Sequence, residues 1–323
     1  MINVCIVGFG AVGPVHAIAL KNIDGVNIYA ICDNKKEVAD KAASEYGCKA
    51  FYDYDECLKD EVIDSVHICT PHYLHFEMIT KALEAGKRVV CEKPIVMKKE
   101  ELDVLFENYD TSKVFPIIQN RTNPSIVKLK ELTGDNDYGC LKAVKGIVTW
   151  SRDEKYYNSA DWRGTLKYEG GGVLINQAVH TLDLMVYLAG KIKSVSSAMS
   201  NHSLKGIIDV EDTVNSYIEF ENGAKGIFFA TNAYPVNSGV QLELEFENKR
   251  FLYYDGALFC EGEIIQADSD KTVGKIYWGN GHARTLKDYY ENNSTLCVDD
   301  IKDTMHAMFA IYESAKSGET IEL

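Results

Sequence analysis

Gly8-Phe9-Gly10-Ala11-Val12-Gly13 decides how the rest of the chain is read. An apolar run, Ile2 to Val7, precedes it and reads as a buried strand; a helical pattern from about Pro14 to Asn22 follows. Glycine at these spacings permits a tight turn, a backbone that comes close to a pyrophosphate, and close packing of helix on strand. The helix start presents unpaired N–H groups and the positive end of its dipole, both of which suit phosphate. Asp33 closes the next apolar run, Val26 to Cys32. It lies about twenty residues beyond the glycines, where a carboxylate can accept ribose hydroxyls. Strand, glycines, helix and acid in that order predict a dinucleotide site built on Gly8 to Gly13 and Asp33.

Outward from this stretch, strand and helix patterns alternate. Helices are expected near Lys35–Tyr46, Tyr73–Ala85 and Lys98–Asn108, and strands near Ala50–Tyr52, Ile63–Cys69, Val89–Cys91 and Val114–Ile118. Such alternation predicts parallel strands with crossover helices, and ligands bound off the carboxyl ends of the strands. Thr70-Pro71-His72 with His75 follows one strand, Glu92-Lys93-Pro94 the next, and Gln119-Asn120-Arg121 the last. Each has an ordinary explanation alone; together they converge on the end of the sheet that the glycine loop faces. A lysine there can exchange a proton with a substrate hydroxyl once its pKa is lowered toward neutrality. A cationic nicotinamide lowers it and Glu92 raises it, so the balance stays open at this point.

The chain has 323 residues, enough for two domains, with a junction expected near Arg121–Pro124: residues 1–121 for the dinucleotide and 122–323 for the substrate. A net charge of −14 argues against nucleic-acid or anionic-membrane partners. No apolar run approaches membrane length, and the chain enters a strand at once without a leader-like core. The nine cysteines are scattered, with no CxxC or Cys/His cluster. No metal site and no disulfide framework is expected, and a reducing cytoplasm fits.

In the second half, a strand near Leu141–Trp150 runs into a loop bearing Arg152, Tyr156, Tyr157, Asp161, Trp162 and Arg163. Aromatic rings and guanidinium groups suit sugar faces, carboxylates and phosphates, although tyrosines equally serve as core fill. Gly170-Gly171-Gly172 then opens a helix expected from about Val173 to Leu188. Ile175, Val179, Leu182 and Val186 form its apolar stripe; Asn176, His180 and Asp183 stand at i, i+4 and i+7 on an adjacent face. Asp183 either orients the His180 imidazole or pairs elsewhere. From Val195 the pattern is mainly strand, with Glu221-Asn222-Gly223 as a hairpin turn and clean alternation over Val240–Glu247. An open sheet needs its exposed face covered, so a homodimer or homotetramer through that sheet is expected. The last helix is expected near Asp299–Lys316; His282 and Arg284 could reach substrate, with a surface position or no assignable role favoured.

GFGAVGPVH, ICTPHYLHFEM, CEKPIVM, DWRG, GGGVLINQAVHTLDL and the ending MHAMFAIYESAKSGETIEL together resemble the glucose–fructose oxidoreductase / inositol 2-dehydrogenase (Gfo/Idh/MocA) family over essentially the whole chain. The resemblance implies an N-terminal Rossmann domain, a doubly wound parallel sheet. After it comes a C-terminal α+β domain with a large open, mainly antiparallel sheet. It implies hydride transfer between NAD(H) or NADP(H) and a secondary hydroxyl or keto carbon of a sugar, sugar nucleotide or cyclitol. Lys93 is then the proton-transfer residue and His180 its partner. Thr70, Pro71, His72, His75, Glu92, Lys93, Asn120, Trp162 and Arg163 fall to the cofactor. Arg121, Tyr156, Arg163 and Asn176 fall to the substrate, with Lys93 and His180. Many members carry Asp where this chain has Asn176, and an amide can orient a hydroxyl but takes no proton. The Asn-Gln form is similar to a subgroup that includes UDP-N-acetyl-aminoglucuronate dehydrogenases. Asp33 favours NAD, since a carboxylate repels a 2′-phosphate, while Lys35 and Lys36 beside it leave NADP open. Two other readings remain at this stage: a sugar lyase or glycosidase with transient redox and no net oxidation, and a non-catalytic dinucleotide-binding regulator.

Overall fold

The computed structural model describes residues 1–134, 136–268, 280–291, 294 and 296–323. Contacts divide it into two units, Met1–Gln119 with Asp270–Asp300 and Asn120–Ser269 with Ile301–Leu323. The division is therefore not one cut near residue 121: the described part of Asp270–Asp300 joins the first unit.

In chain order the first unit runs β1 (Ile2–Val7), α1 (Gly13–Leu20), β2 (Val26–Cys32), α2 (Lys36–Tyr46), β3 (Lys49–Phe51), α3 (Tyr54–Leu58), β4 (Ser65–Ile68), α4 (His75–Glu84), β5 (Arg88–Cys91), α5 (Lys99–Asn108) and β6 (Val114–Pro116). The second unit follows with α6 (Pro124–Gly134), β7 (Leu141–Thr149), α7 (Glu154–Tyr157), α8 (Leu166–Glu169), α9 (Val179–Ala189), β8 (Ile192–Ser200), β9 (Thr213–Phe220), β10 (Lys225–Thr231), β11 (Gln241–Phe246), β12 (Arg250–Tyr254), β13 (Ala257–Cys260) and β14 (Glu263–Ala267). Helix α10 (Gly281–Glu291) returns to the first unit; α11 (Lys302–Ser317) and β15 (Ile321–Glu322) complete the second.

The first sheet has the order β3-β2-β1-β4-β5-β6, and all its pairings are parallel. Its central strands β1, β2, β4 and β5 are rich in Val, Ile and Cys, as suits strands under packed helices, and α1, α2 and α4 pack on them. Strand order reverses between β1 and β4, the switch point where such sheets leave a crevice beyond their carboxyl ends. Helix α10 packs on α1, and Leu286 enters a core with Val4, Leu20 and Phe115.

The second sheet has nine strands in the order β14-β13-β12-β11-β7-β10-β9-β8-β15. Among the described residues, β7 and β10 pair in parallel and the other neighbours in this sheet pair antiparallel. Helix α9 lies over β7 and α11 over β8 and α9, burying Ile175, Val179, Leu182 and Val186 as the stripe required. The helical stretch Leu166–Ala189 is long and apolar enough to cross a membrane, against the expectation that no such run exists, and 89% of its most apolar window is buried in the protein.

Candidate functional site

The glycine loop joins β1 to α1 at the switch point. A Cβ on Gly13 would stand 2.5 Å from the Gly8 carbonyl oxygen, so only glycine lets the helix close on the turn. A Cβ on Gly10 would meet nothing within 4 Å, which leaves the open approach a pyrophosphate needs. The Phe9 N–H donates to Asp33 Oδ2 at 2.8 Å, and the Lys35 N–H donates to Oδ1 at 2.9 Å. The loop itself thus fixes the acid at the end of β2. Glycines, open approach and anchored acid fit a dinucleotide.

Beyond β4 and β5 the expected cofactor residues separate into two kinds. Thr70, Pro71 and Lys93 are partly exposed, whereas His72 and His75 are buried. His75 is 0% exposed; its Nδ1 lies 2.6 Å from the Pro94 carbonyl oxygen and its Nε2 lies 2.8 Å from that of Thr70. Its ring therefore ties the two turns together and is closed to solvent.

Glu92 is buried as well. His16 Nε2 and His282 Nε2 each lie 3.0 Å from Glu92 Oε1. His16 Nδ1 meets His67 Nδ1 at 2.8 Å, and His67 Nε2 meets the Tyr290 hydroxyl at 2.7 Å. With Glu92 ionised and the His16 and His67 rings neutral, one proton arrangement satisfies the row: Tyr290 donates to His67, His67 to His16, and His16 and His282 to Glu92. Burial opposes the charge on Glu92, but the charge attraction of His282 and the hydrogen bonds from His16 and His282 hold its carboxyl well below the usual range. Burial, chiefly, holds His67 well below its ordinary value and His16 below it. His282, for which the sequence favours a surface position or no assignable role, is buried on this carboxylate. His16, Glu92 and His282 are the one set among the described residues with the donor chemistry and proximity for a metal, and their facing atoms already hydrogen-bond one another. An ionisable side chain inside the apolar strand Ser65–Ile68, and another on the inner face of α1, were the signals that could have revealed this cluster.

In the second unit the expected helix from Val173 starts as a π-turn, Leu174–Ala178, before α9 continues it. The wide turn changes the facing of its residues, as such turns do near functional sites. Asn176 Nδ2 donates to Glu169 Oε1, and the Gly164 N–H donates to Glu169 Oε2. Gln177 Nε2 donates to the Tyr156 hydroxyl at 3.0 Å, and its Oε1 accepts from Asn232 Nδ2 at 3.0 Å. Arg163 Nη1 donates to the same Tyr156 hydroxyl at 2.5 Å, with its guanidinium 4.6 Å from the Tyr156 ring and 4.7 Å from that of Trp162. Tyr157 is core fill, hydrogen-bonded to Asn232. Both amides of the Asn-Gln pair are therefore held by named partners; of these, Glu169 and Asn232 were not picked out from sequence. His180, partly exposed, sits in the first turn of α9.

Asp183 and Arg121 differ from expectation together. Arg121 Nε donates to Asp183 Oδ2 at 2.8 Å and Nη2 to Oδ1 at 2.6 Å, and Thr304 Oγ1 donates to Oδ1 at 2.9 Å. The carboxylate is thus filled by an arginine fork and a hydroxyl, not by the imidazole. Arg121, expected on substrate, is taken up in a buried ion pair. The glycine run also has an internal reason: a Cβ on Gly172 would lie 1.9 Å from the Glu211 carbonyl oxygen. Glu211 accepts from the Gly172 N–H at 2.8 Å, the Leu174 N–H at 3.1 Å and the Tyr312 hydroxyl at 3.0 Å. Burial pushes its carboxyl up, against these donors.

Residues 2–117 match the oxidoreductase family with an NAD-binding Rossmann fold, and residues 126–251 match the GFO/IDH/MocA C-terminal domain. Levoglucosan dehydrogenase of Pseudarthrobacter phenanthrenivorans is 27% identical over 278 residues, covering 75% of this chain and 71% of the relative. The scyllo-inositol 2-dehydrogenase (NAD(+)) of Bacillus subtilis is 29% identical over 251 residues, with the same coverage of 75% and 71%. The WlbA dehydrogenase of Bordetella pertussis, crystallised with NADH and UDP-GlcNAcA, superposes with a TM-score of 0.88 at 25% identity over 100% of this chain and 97% of that one. With both domain signatures present in order, on a Rossmann sheet and an open mixed sheet, the chain belongs to the Gfo/Idh/MocA oxidoreductase family.

Proposed function

We propose that this enzyme is an NAD-dependent dehydrogenase that oxidises a secondary hydroxyl of a carbohydrate, with Lys93 as the proton-transfer residue and His180 as its partner. The observation that carries the reading is Lys93 directly beyond β5, on the sheet that also carries the open glycine loop and the anchored Asp33. Bound NAD would supply the hydride acceptor. The Lys93 amine takes the hydroxyl proton as the carbon gives up its hydride, and a carbonyl results. Asn176, whose amide nitrogen donates to Glu169, orients the substrate. Tyr156, Trp162 and Arg163 offer ring faces and a guanidinium to a sugar or its anionic substituent. Relatives named for levoglucosan and scyllo-inositol, and a neighbour holding UDP-GlcNAcA, support a cyclic polyol, free or nucleotide-linked. Asp33 supports NAD over NADP.

The purified protein is to be offered NAD or NADP with a panel of free sugars, uronic acids, sugar nucleotides and cyclitols, following absorbance of the reduced nicotinamide. Turnover with NAD on one such class, lost in Lys93→Met, is the expected result. Product formed without added NAD and without net reduction would replace the reading with transient-redox chemistry. Nine free thiols suit a reducing cytoplasm. Tyr217 and Ile227, cross-strand partners on β9 and β10, are 49% and 57% exposed and support pairing of copies through the sheet. Light scattering on Ile227→Glu tests it: a smaller assembly than wild type is expected, and an unchanged mass contradicts it.

A further inference from the structure

Both ring nitrogens of His75 face carbonyl oxygens, Pro94 at 2.6 Å and Thr70 at 2.8 Å. Carbonyl oxygens only accept, and a neutral imidazole has one N–H and one lone pair. In either neutral tautomer one of these contacts sets lone pair against lone pair well inside 3 Å, in a ring with no exposure to water. The imidazolium ion makes two charge-assisted hydrogen bonds in the same geometry. Burial is the largest influence on this ring and, with Lys93, holds it below its ordinary value although the two carbonyl oxygens and Glu92 act the other way. The start of α4 also works against a cation. The geometry outweighs these, because burial penalises an unpaired charge far more than one that is hydrogen-bonded at both ends beside an anion.

We propose that His75 is carried as an imidazolium that ties the Thr70–Pro71 turn to the Lys93–Pro94 turn and, as a like charge beside Lys93, helps keep that amine neutral enough to accept a proton. The groups facing it are Glu92 and Lys93 from the end of β5 and the His72 ring, 5.9 Å away on its own segment. Cys69 and Cys91, in the surroundings of Glu92, are thiols pushed well above their ordinary range by burial and so carry no charge. Glu92 is thus the anion that balances His75, and its Oε1 is engaged by His16 and His282. The effect on Lys93 rests on the proposed role of that lysine; the charge of His75 does not. His75 is a positioning residue.

The test is a two-bond nitrogen–proton NMR spectrum of the full-length protein labelled with ring-¹⁵N histidine, at pH 7.5, with and without NAD. His75, assigned by the signal lost in His75→Gln, is expected to show two protonated nitrogens. If that variant does not fold, the signal is assigned by elimination from glutamine substitutions of the other histidines. One unprotonated nitrogen on His75 overturns the proposal. In the pH profile of kcat/KM for oxidation, His75→Gln is expected to raise the apparent pKa of the acid limb by about one unit, and His75→Lys to restore part of the shift. Two protonated nitrogens with an unmoved limb would overturn the influence on Lys93. A protein with no turnover on any substrate would overturn the reading of Lys93, while the spectrum still decides His75.

Discussion

Asp183→Ala separates a carboxylate that orients His180 from one that holds the second unit together. The side chains of Asp183 and Arg121 are 4% and 11% exposed and share two hydrogen bonds, with a third from Thr304. Removing the carboxylate leaves the Arg121 guanidinium stacked 4.5 Å from the Tyr187 ring, with Lys130 Nζ 4.4 Å from the same ring. Lys130 is already pushed down, by burial first and then by the Arg121 charge. Two cations would then face one ring without the anion that Arg121 now grips. Breaking a buried pair on one side costs about 3–5 kcal/mol, a large part of a total of about 5–15 kcal/mol. Urea unfolding of Asp183→Ala, Arg121→Met and the double variant, followed by circular dichroism, measures this. Each single variant should lose about 3 kcal/mol or more, and the double should lose at least about 1 kcal/mol less than the sum. If Asp183→Ala kept its stability within about 1 kcal/mol while kcat collapsed, the carboxylate would be acting on the imidazole and the structural assignment would be refuted.

Gly172→Ala forces a Cβ to 1.9 Å from the Glu211 carbonyl oxygen and must break the Gly172 and Val173 N–H bonds to that residue. A loss of about 3 kcal/mol or more in urea stability is expected, and a wild-type midpoint would contradict the close approach. Glu169→Gln replaces an acceptor of the Asn176 amide or the Gly164 N–H with a donor. The expected outcome is a KM for the sugar raised about tenfold with a smaller change in kcat, and an equal fall in kcat and kcat/KM would place the effect in the transition state instead. The buried cluster predicts acid lability. Burial lowers His16 and His67 in the native protein from 6.5, so below about pH 6.5 the unfolded chain binds protons that the folded one does not, and stability falls as the pH is lowered. Each such group contributes up to about 1.4 kcal/mol per pH unit. His67→Gln should flatten the fall in urea midpoint between pH 6.5 and 5.5; an unchanged slope would show that His67 does not titrate between the two states.

Much was legible along the chain because its causes are local. Alternating apolar runs and helical patterns need only neighbouring residues to declare a parallel sheet, and GxGxxG with Asp33 encodes a turn whose requirements lie within a few residues. The stripe Ile175, Val179, Leu182 and Val186 is buried as its spacing predicts, although the neighbouring Asn176, Thr181 and Asp183 are buried with it. Lys93 and His180 were named from motifs, which carry residue type and order.

Tertiary structure decided every question of partnership. Asn176, His180 and Asp183 share a face in an ideal helix, yet a π-turn intervenes and Asp183 meets Arg121 and Thr304 from elsewhere in the chain. His16, His67, Glu92 and His282 lie far apart in sequence and meet only because α1, β4, β5 and α10 converge. The second half of the chain sends α10 back to the first unit, which no junction composition reveals. The physical reason is the same throughout. Periodicity and turn chemistry are properties of a few consecutive residues, whereas burial, charge pairing and proton position depend on which distant groups the packed chain brings within about 3 Å of one another.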